Sequence, residues 1–359
     1  YTTAVIAMMM TGNIVIALLG TGVFWVYGPA VAALVRAYYE VWFHTFYETD
    51  AQLERFYQIV RYSSPFANYM YAIEDFNTKA FHLGTIAGVV AVTAALALLG
   101  YALYRIRPSE TAGKAMAFKK TEMPVKVLLV IPLALAFGIF FYSLRRTVVW
   151  LIFGTVCGTL LVHCVIEIIY HFDFRKLLSH KIHLAGCMAA AVLLSLAGFY
   201  DWYGYDSWLP DGGKLSSAAV ILGYQDDWVT YGKPEAPGTG GASGYYWEYE
   251  STEDYVFENM EYSDVYTIME LAKKGVQADK MSRADDWAAD SNRQWARYTV
   301  LFQMKGGKKA ARAYSIPVDA ELDEIHRTIH DSQEYKMGTY PILKQTASDT
   351  VQVNFQQYN

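Results

Sequence analysis

The feature that most constrains this chain is the repetition of long apolar segments through its first 200 residues. A helix crosses about 30 Å of hydrocarbon with roughly 20 apolar residues, and it bonds its backbone polar groups internally. Four segments meet this requirement clearly: 13–34, 81–104, 147–170 and 182–200. A fifth, 125–144, contains Pro132, which predicts a kink. The sequence therefore predicts a multi-pass membrane protein.

A sixth apolar stretch, 2–10, is too short to cross a membrane by itself. It begins without an initiator Met and is interrupted by Thr11, Gly12 and Asn13. We interpret it as the truncated end of one span that turns into the next. The prediction is about six visible spans, with N-terminal spans missing from the sequence.

Composition changes near residue 200, where the chain becomes polar, acidic and rich in Tyr and Trp. The three cysteines all fall within predicted spans, so this second part has no disulfide framework. Alternating apolar residues predict a strand at 215–223 and a hairpin of 297–304 with 309–316. Helical spacing predicts helices at 262–276 and 319–332, with Asp319 as a cap, and the Pro- and Gly-rich segment 231–245 predicts a mobile loop.

The predicted fold class is therefore a membrane all-α helical bundle followed by a soluble α+β domain. Basic residues are concentrated in 105–126 and 171–181, and an excess of Lys and Arg marks cytoplasmic loops. Alternation of the spans then predicts that 36–79 and the C-terminal domain lie outside the cell. The expected localisation is the cell membrane, multi-pass, with the C-terminal domain extracellular.

Several segments carry a resemblance to a known family. AMMMTGNIVIALLGTGVFWVYGP resembles the turn between the third and fourth spans of exporter-type ABC transporter permeases from Gram-positive bacteria. RYSSPFANYM resembles their external segment, and YRIRPSETAGKAMAF resembles the basic cytoplasmic loop after the permease core. These three stretches are residues 7–29, 61–70 and 104–118.

Two later stretches, IIYHFDFRKLL and FYDWYGYDSWLP, resemble a subgroup with three added spans and an extracellular domain of unassigned function. The resemblance implies four regions. The end of the permease core comprises a partial span, the span 13–34, the external segment 36–79 and the span 81–104. The others are a basic cytoplasmic loop at 105–124, three additional spans at 125–200 and an extracellular α+β domain at 201–359.

The same resemblance implies partners. ABC permeases take their energy from separate ATPase subunits, here expected in two copies, together with a second permease subunit that is identical or related. By this analogy the ATPase contacts the turn formed by Thr11, Gly12 and Asn13. A second candidate surface is the basic loop, with Arg105, Arg107, Glu110 and Lys114. Membrane lipids are also expected partners, and nucleic acid is not.

No nucleotide-binding motif of the form G-x-x-x-x-G-K-[ST] is present. The segments starting at Gly212 and Gly306 lack the upstream glycine spacing and the Ser or Thr that binds magnesium. The prediction is a non-enzyme with no catalytic residues and no cofactor of its own, with ATP and Mg bound by the partner.

His163, Glu167 and His171 are spaced four residues apart and share one helix face within a predicted span. Ionisable groups in a membrane are functional candidates by default, so His163 and Glu167 are candidate intramembrane polar residues. Metal binding is one interpretation, and hydrogen bonding inside the bundle is the favoured one, so no metal is predicted. Two glycine pairs, Gly84/Gly88 and Gly154/Gly158, have the spacing that lets helices approach closely.

In the second domain, an aromatic cluster among acidic residues is a candidate surface for a cationic peptide or a sugar; its members are Tyr245, Tyr246, Trp247 and Tyr249. The alternative is that these rings form the domain's own core or a collar facing the membrane. His326 and His330 lie one helical turn apart, and either a metal site or a solvated helix face fits that spacing.

The predicted function is the transmembrane permease subunit of an ATP-driven exporter working by alternating access. Its expected cargo is an amphipathic or lipid-like compound or an antimicrobial peptide, which would make resistance to such peptides one role. The rival hypothesis is a membrane-anchored receptor whose extracellular domain binds peptide or cell-wall material. A receptor needs only one or two spans, so the number of apolar segments favours the permease.

Overall fold

The computed structural model describes residues 1–77, 83–108, 113–171, 173–177, 180–223, 231–234, 247–284 and 294–344. The chain divides into two units. The first, the helical unit, comprises residues 1–42 and 51–203, and the second, the α+β unit, comprises residues 43–50 and 204–359.

Apolar helices make up most of the helical unit. Within the described residues, five are long and apolar enough to cross a membrane. They are α2 (Ile14–Trp42), α5 (Leu83–Ile106), α6 (Glu122–Arg145), α7 (Val148–His171) and α8 (Lys181–Phe199), accompanied by the shorter α1 (Thr2–Met10), α3 (Asp50–Ser63) and α4 (Pro65–Asn77). These helices suit a multi-pass membrane protein.

Helix α2 is longer than the sequence predicted. It continues past residue 34 to Trp42, so the first residues of the predicted external segment belong to the same helix. At about 1.5 Å per residue its 29 residues extend well beyond the thickness of a hydrocarbon core. Apolar and aromatic residues between 35 and 42 continue the helical pattern, and the sequence argument had truncated it at the length of one span.

Close approach of α6 and α7 depends on glycine. A Cβ built at Gly154 would lie 2.7 Å from the carbonyl oxygen of Phe137, and one at Gly158 would lie 2.6 Å from the Phe137 Cβ. The predicted role of the Gly154/Gly158 pair in helix packing is confirmed. The pair at Gly84 and Gly88 differs, since a Cβ at Gly84 would meet no described atom within 4 Å.

The α+β unit contains an antiparallel sheet of three strands in the order β1 (Leu215–Leu222), β4 (Trp295–Met304) and β5 (Lys309–Pro317). The predicted strand and hairpin are confirmed, and Gly307 has a φ of 75° at the hairpin tip, a conformation that favours glycine. A separate pair, β2 (Tyr231–Pro234) and β3 (Trp247–Glu250), is also antiparallel. The predicted loop at 231–245 is therefore wrong for residues 231–234, and the remainder lies outside the described residues.

Helices α9 (Thr252–Asn259), α10 (Val265–Ala284), α11 (Ala320–Asp331) and α12 (Gln333–Thr339) complete this unit. Asp319 caps α11 as predicted, because its carboxylate accepts a hydrogen bond from the N–H of Leu322 at 2.8 Å. That bond is the main reason why the pKa of Asp319 is lowered. The core contains fully buried side chains from both the sheet and the helices, including Phe302, Tyr314, Leu271 and Tyr335.

Residues 43–50 precede α3 in sequence and belong to the α+β unit. The buried Asp206 carboxylate accepts hydrogen bonds from the backbone N–H of Thr45 at 2.9 Å and from its hydroxyl at 2.7 Å. The N–H of Ala313 in β5 donates to the Thr45 carbonyl at 3.1 Å, and the Phe43 ring stacks on Tyr205. We call residues 43–50 the strap.

Candidate functional site: a paired turn and loop, and a buried ion pair

Two sequence-predicted sites come together in the helical unit. The turn between α1 and α2 is hydrogen-bonded to the segment 113–117. The N–H of Gly12 donates to the Lys114 carbonyl at 3.0 Å, the N–H of Gly113 donates to the Gly12 carbonyl at 2.9 Å, and the N–H of Ala117 donates to the Met10 carbonyl at 2.7 Å. We call residues 10–13 with 113–117 the turn–loop platform.

Side chains reinforce the platform. The Arg107 guanidinium donates to the Thr11 carbonyl at 3.0 Å, which satisfies an acceptor near the end of α1. The Thr11 hydroxyl donates a hydrogen bond to the Ala7 carbonyl at 2.8 Å, and the Asn13 side-chain oxygen accepts one from the N–H of Val15 at 2.8 Å. Residues Ala115, Met116 and Ala117 are buried, whereas Lys114 is exposed. The platform therefore presents a basic side chain on a backbone held by hydrogen bonds.

The remaining residues of the predicted basic loop have separate positions. Arg105 is exposed in the last turn of α5, and Glu110 lies outside the described residues. Sequence reasoning proposed the turn and the loop as two surfaces. It gave no signal that they bond to each other, because pairing of short irregular segments depends on backbone geometry that residue types do not encode.

A second constellation lies among α6, α7 and the start of α8. Glu167 is fully buried, and its carboxylate forms an ion pair with Lys126 of α6, whose side chain is also buried. Its other contacts are the Nδ1 atoms of His171 at 3.2 Å and His180 at 3.0 Å, and the Nε2 of His163 at 3.6 Å. We call these five residues the Glu167 cluster.

Sequence reasoning identified His163 and Glu167 but missed two members of the cluster. Lys126 had been counted with the cytoplasmic loop, whereas α6 begins at Glu122 and carries Lys126 in its second turn. His180 is the N-cap residue of α8 and stacks on His183, with ring centroids 5.3 Å apart. A buried carboxylate in a span requires a charged partner. Lys126 is the basic residue closest to the apolar part of α6, and this position was the available signal that it pairs with Glu167.

The predicted hydrogen bonding of His163 and Glu167 inside the bundle is only half confirmed. Glu167 has several partners, but neither ring nitrogen of the fully buried His163 has a hydrogen-bond partner among the described residues. The same helix carries buried Thr155 and Thr159, whose hydroxyls donate to the carbonyls of Leu151 and Thr155 at 2.9 and 2.7 Å. Polar groups thus continue along α7 at every fourth residue.

An apolar cavity of about 380 Å³ lies in the helical unit. Its lining includes Met10, Ile16, Tyr27, Leu128, Ile166 and Tyr170. The lining therefore combines residues from α1 and α2 with residues from α6 and α7. Its size and apolar walls suit a hydrocarbon chain.

The predicted ligand surface of the α+β unit is described only in part. Tyr245 and Tyr246 lie outside the described residues, and for Trp247 and Tyr249 the structure gives backbone positions in β3, opposite Pro234 and Gly232. The Nδ1 of His326 is hydrogen-bonded to the Tyr298 hydroxyl at 3.2 Å. Burial lowers the pKa of the His326 imidazole. Its ring stacks on His330, which pairs with the neighbouring Asp331.

Comparison with known proteins adds one finding. Residues 302–359 match a family model described as a domain of unknown function, DUF6449. This match begins within β4 and covers the end of the α+β unit. No curated protein and no solved structure matches this chain.

Proposed function

We propose that this chain is the transmembrane permease subunit of an ATP-driven exporter, and that its turn–loop platform is where a partner ATPase docks. The observation that carries the proposal is the pairing of the Gly12 turn with the Lys114 segment by backbone hydrogen bonds. These are the two surfaces that the resemblance to exporter-type ABC permeases assigns to the cytoplasmic side.

A partner ATPase can transmit its conformational change to the spans only through a rigid docking surface. A turn that joins two helices would move both of them, and here its carbonyl and N–H groups are held by 113–117 and by Arg107. A displacement of the platform would therefore reach α1, α2 and α5 together. Such coupled motion of spans is the rigid-body transition that alternating access needs.

The apolar cavity supports an amphipathic cargo. A lipid tail or the apolar face of a peptide would gain about 25 cal/mol for each Å² removed from water. In this proposal the ATPase is present in two copies beside a second permease subunit, the α+β unit lies outside the cell, and its role is to receive or guard the cargo. The platform, the Glu167 cluster and the cavity all belong to the helical unit.

Purification of the full chain from its own cell into nanodiscs tests the function. We expect an ATPase subunit to be retained, with an ATP hydrolysis rate that changes when a cationic antimicrobial peptide is added. The chain alone should hydrolyse no ATP. If no ATPase is retained and the chain alone binds the peptide saturably, the exporter hypothesis is wrong and the membrane-anchored receptor takes its place.

A further inference from the structure

Glu167, His171 and His180 present their ligand atoms within 4.8 Å of one another. We propose that these three side chains bind a divalent transition-metal ion of the zinc type, with a fourth position left open. Such sites commonly have three protein ligands of His and carboxylate type. This proposal departs from the sequence-based prediction of no metal, which had considered His163 in place of His180.

Distances within the cluster suit a tetrahedral ion. Bonds of about 2.0–2.1 Å to nitrogen and oxygen place neighbouring ligand atoms roughly 3.3 Å apart in a tetrahedron. The Glu167 Oε2 lies 3.2 Å from the His171 Nδ1 and its Oε1 lies 3.0 Å from the His180 Nδ1, and one ligand atom from each residue lies within 4.8 Å of the others. Small side-chain movements would bring an ion into contact with all three ligands.

His163 provides a second observation that points to a ligand. Its side chain is fully buried, its Nε2 lies 3.6 Å from the Glu167 carboxylate, and neither ring nitrogen has a hydrogen-bond partner among the described residues. Buried polar groups without partners are uncommon and need an explanation. A water bound at the open metal position would give the His163 ring a partner.

Side-chain exposure decreases from His180 through His171 to Glu167, as an entry path for an ion requires. The His180 side chain is 45% exposed, that of His171 is 25% exposed and that of Glu167 is fully buried. An ion would therefore meet His180 first and Glu167 last. Both imidazoles bind through Nδ1 as neutral rings with the proton on Nε2, and a ring that carries two protons beforehand releases one of them to solvent on binding.

Lys126 is the competing cation in this site. Its ammonium occupies the same carboxylate oxygen, Oε1, that His180 approaches. Two cations on one buried carboxylate repel each other strongly, so metal binding requires the ammonium to withdraw. Lys126 is one turn from the start of α6, and its flexible stem can carry the charge towards that end.

Calorimetric titration of the full chain with zinc chloride tests the proposal, using protein in nanodiscs with a histidine-free tag. We expect one saturable site per chain, and His180→Gln or His171→Gln should weaken binding at least tenfold. His180→Gln is the decisive variant, because this half-exposed side chain can change without breaking the buried ion pair. Lys126→Met should tighten binding severalfold by removing the competing ammonium.

A matched control places the ion. His330→Gln, which removes an imidazole of the stacked His326–His330 pair in the α+β unit, should leave zinc affinity unchanged. Absence of saturable binding, unchanged affinity in His180→Gln, or loss of binding in His330→Gln would each overturn the proposal. The titration requires no ATPase, so its result is independent of the proposed exporter function.

Discussion

Gly12 and Lys114 are joined by a hydrogen bond of 3.0 Å from the N–H of one to the carbonyl of the other, across about 100 residues of chain. This bond turns two separate sequence motifs into one surface. It also ties the turn between α1 and α2 to the segment that follows α5.

Breaking the buried ion pair should destabilise the helical unit. Lys126→Met leaves the Glu167 carboxylate buried without its ammonium partner, a change that typically costs about 3–5 kcal/mol. The thermal midpoint in metal-free detergent should therefore fall clearly. The double variant Lys126→Met/Glu167→Gln removes the charge as well, and it should recover part of that loss; a midpoint as low as in the single variant would contradict the ion-pair account.

Helix α7 should not tolerate a methyl group at Gly154. In Gly154→Ala the new Cβ would lie 2.6 Å from the Phe141 Cβ and 2.7 Å from a backbone oxygen of α6, so the helices must separate. Overpacking of this kind costs about 1–3 kcal/mol. Thermal unfolding in detergent checks it against Gly186→Ala in α8, where no described atom lies within 4 Å. Equal midpoints for the two variants would be inconsistent with close α6–α7 packing.

The strap should loosen when Asp206 is removed. Asp206→Ala deletes the acceptor of the Thr45 N–H and hydroxyl and leaves buried donors unsatisfied, at about 1–3 kcal/mol for each group. Hydrogen exchange of the full chain should become faster at residues 43–47, with β4 and β5 less affected. Ser216→Ala, an exposed hydroxyl on β1, serves as the control. Unchanged exchange in the strap would mean that Asp206 does not hold it.

Stability of the α+β unit should fall as the pH rises from 3.8 to about 6. A hydrogen bond with Asp254, together with burial and the charge of Glu253, raises the pKa of Asp50 to about 6 from 3.8. A raised pKa means that the folded state binds the proton more tightly, so this contribution is fully present below pH 3.8 and is lost as the pH rises to about 6. Asp50→Asn removes the repulsion, and the variant should gain clearly more stability at pH 8 than at pH 4.5.

Thermal midpoints of the wild type and of Asp50→Asn at the two pH values provide the measurement. Asp254→Asn should reproduce the effect, since either substitution breaks the carboxyl pair. A stabilisation of equal size at pH 4.5 and pH 8 would show that the pair does not share a proton.

Much of this architecture follows from the sequence. Apolar length predicts α2, α5, α6, α7 and α8, and strand alternation predicts β1 and the β4–β5 hairpin, because burial in lipid or in a sheet dictates residue type locally. The Asp319 cap is predictable for a different reason, because an Asp side chain accepts a hydrogen bond from the free N–H groups at the start of a helix. By contrast, Lys126 was counted with the basic loop although the predicted span began at residue 125, because a charged residue near the end of a span reads as loop unless its buried partner is known.

Long-range pairings account for the rest. The strap, the turn–loop platform and the contribution of His180 to the Glu167 cluster each join segments that are distant in sequence or separated by a helix end. Residue composition at 43–50 gives no indication that it packs on β5. Such contacts are decided by tertiary geometry, and the sequence supplies only the candidates.

Retention of a partner ATPase by platform variants tests the central claim most directly. Lys114→Glu reverses the exposed charge of the platform. The control, Arg145→Glu, makes the same change at the C-terminal end of α6, which is not part of the platform. We expect Lys114→Glu to retain the co-purifying ATPase at least about tenfold less well, a change of about 1.4 kcal/mol, while Arg145→Glu retains it as the wild type does. Equal retention by both variants would contradict docking at the platform.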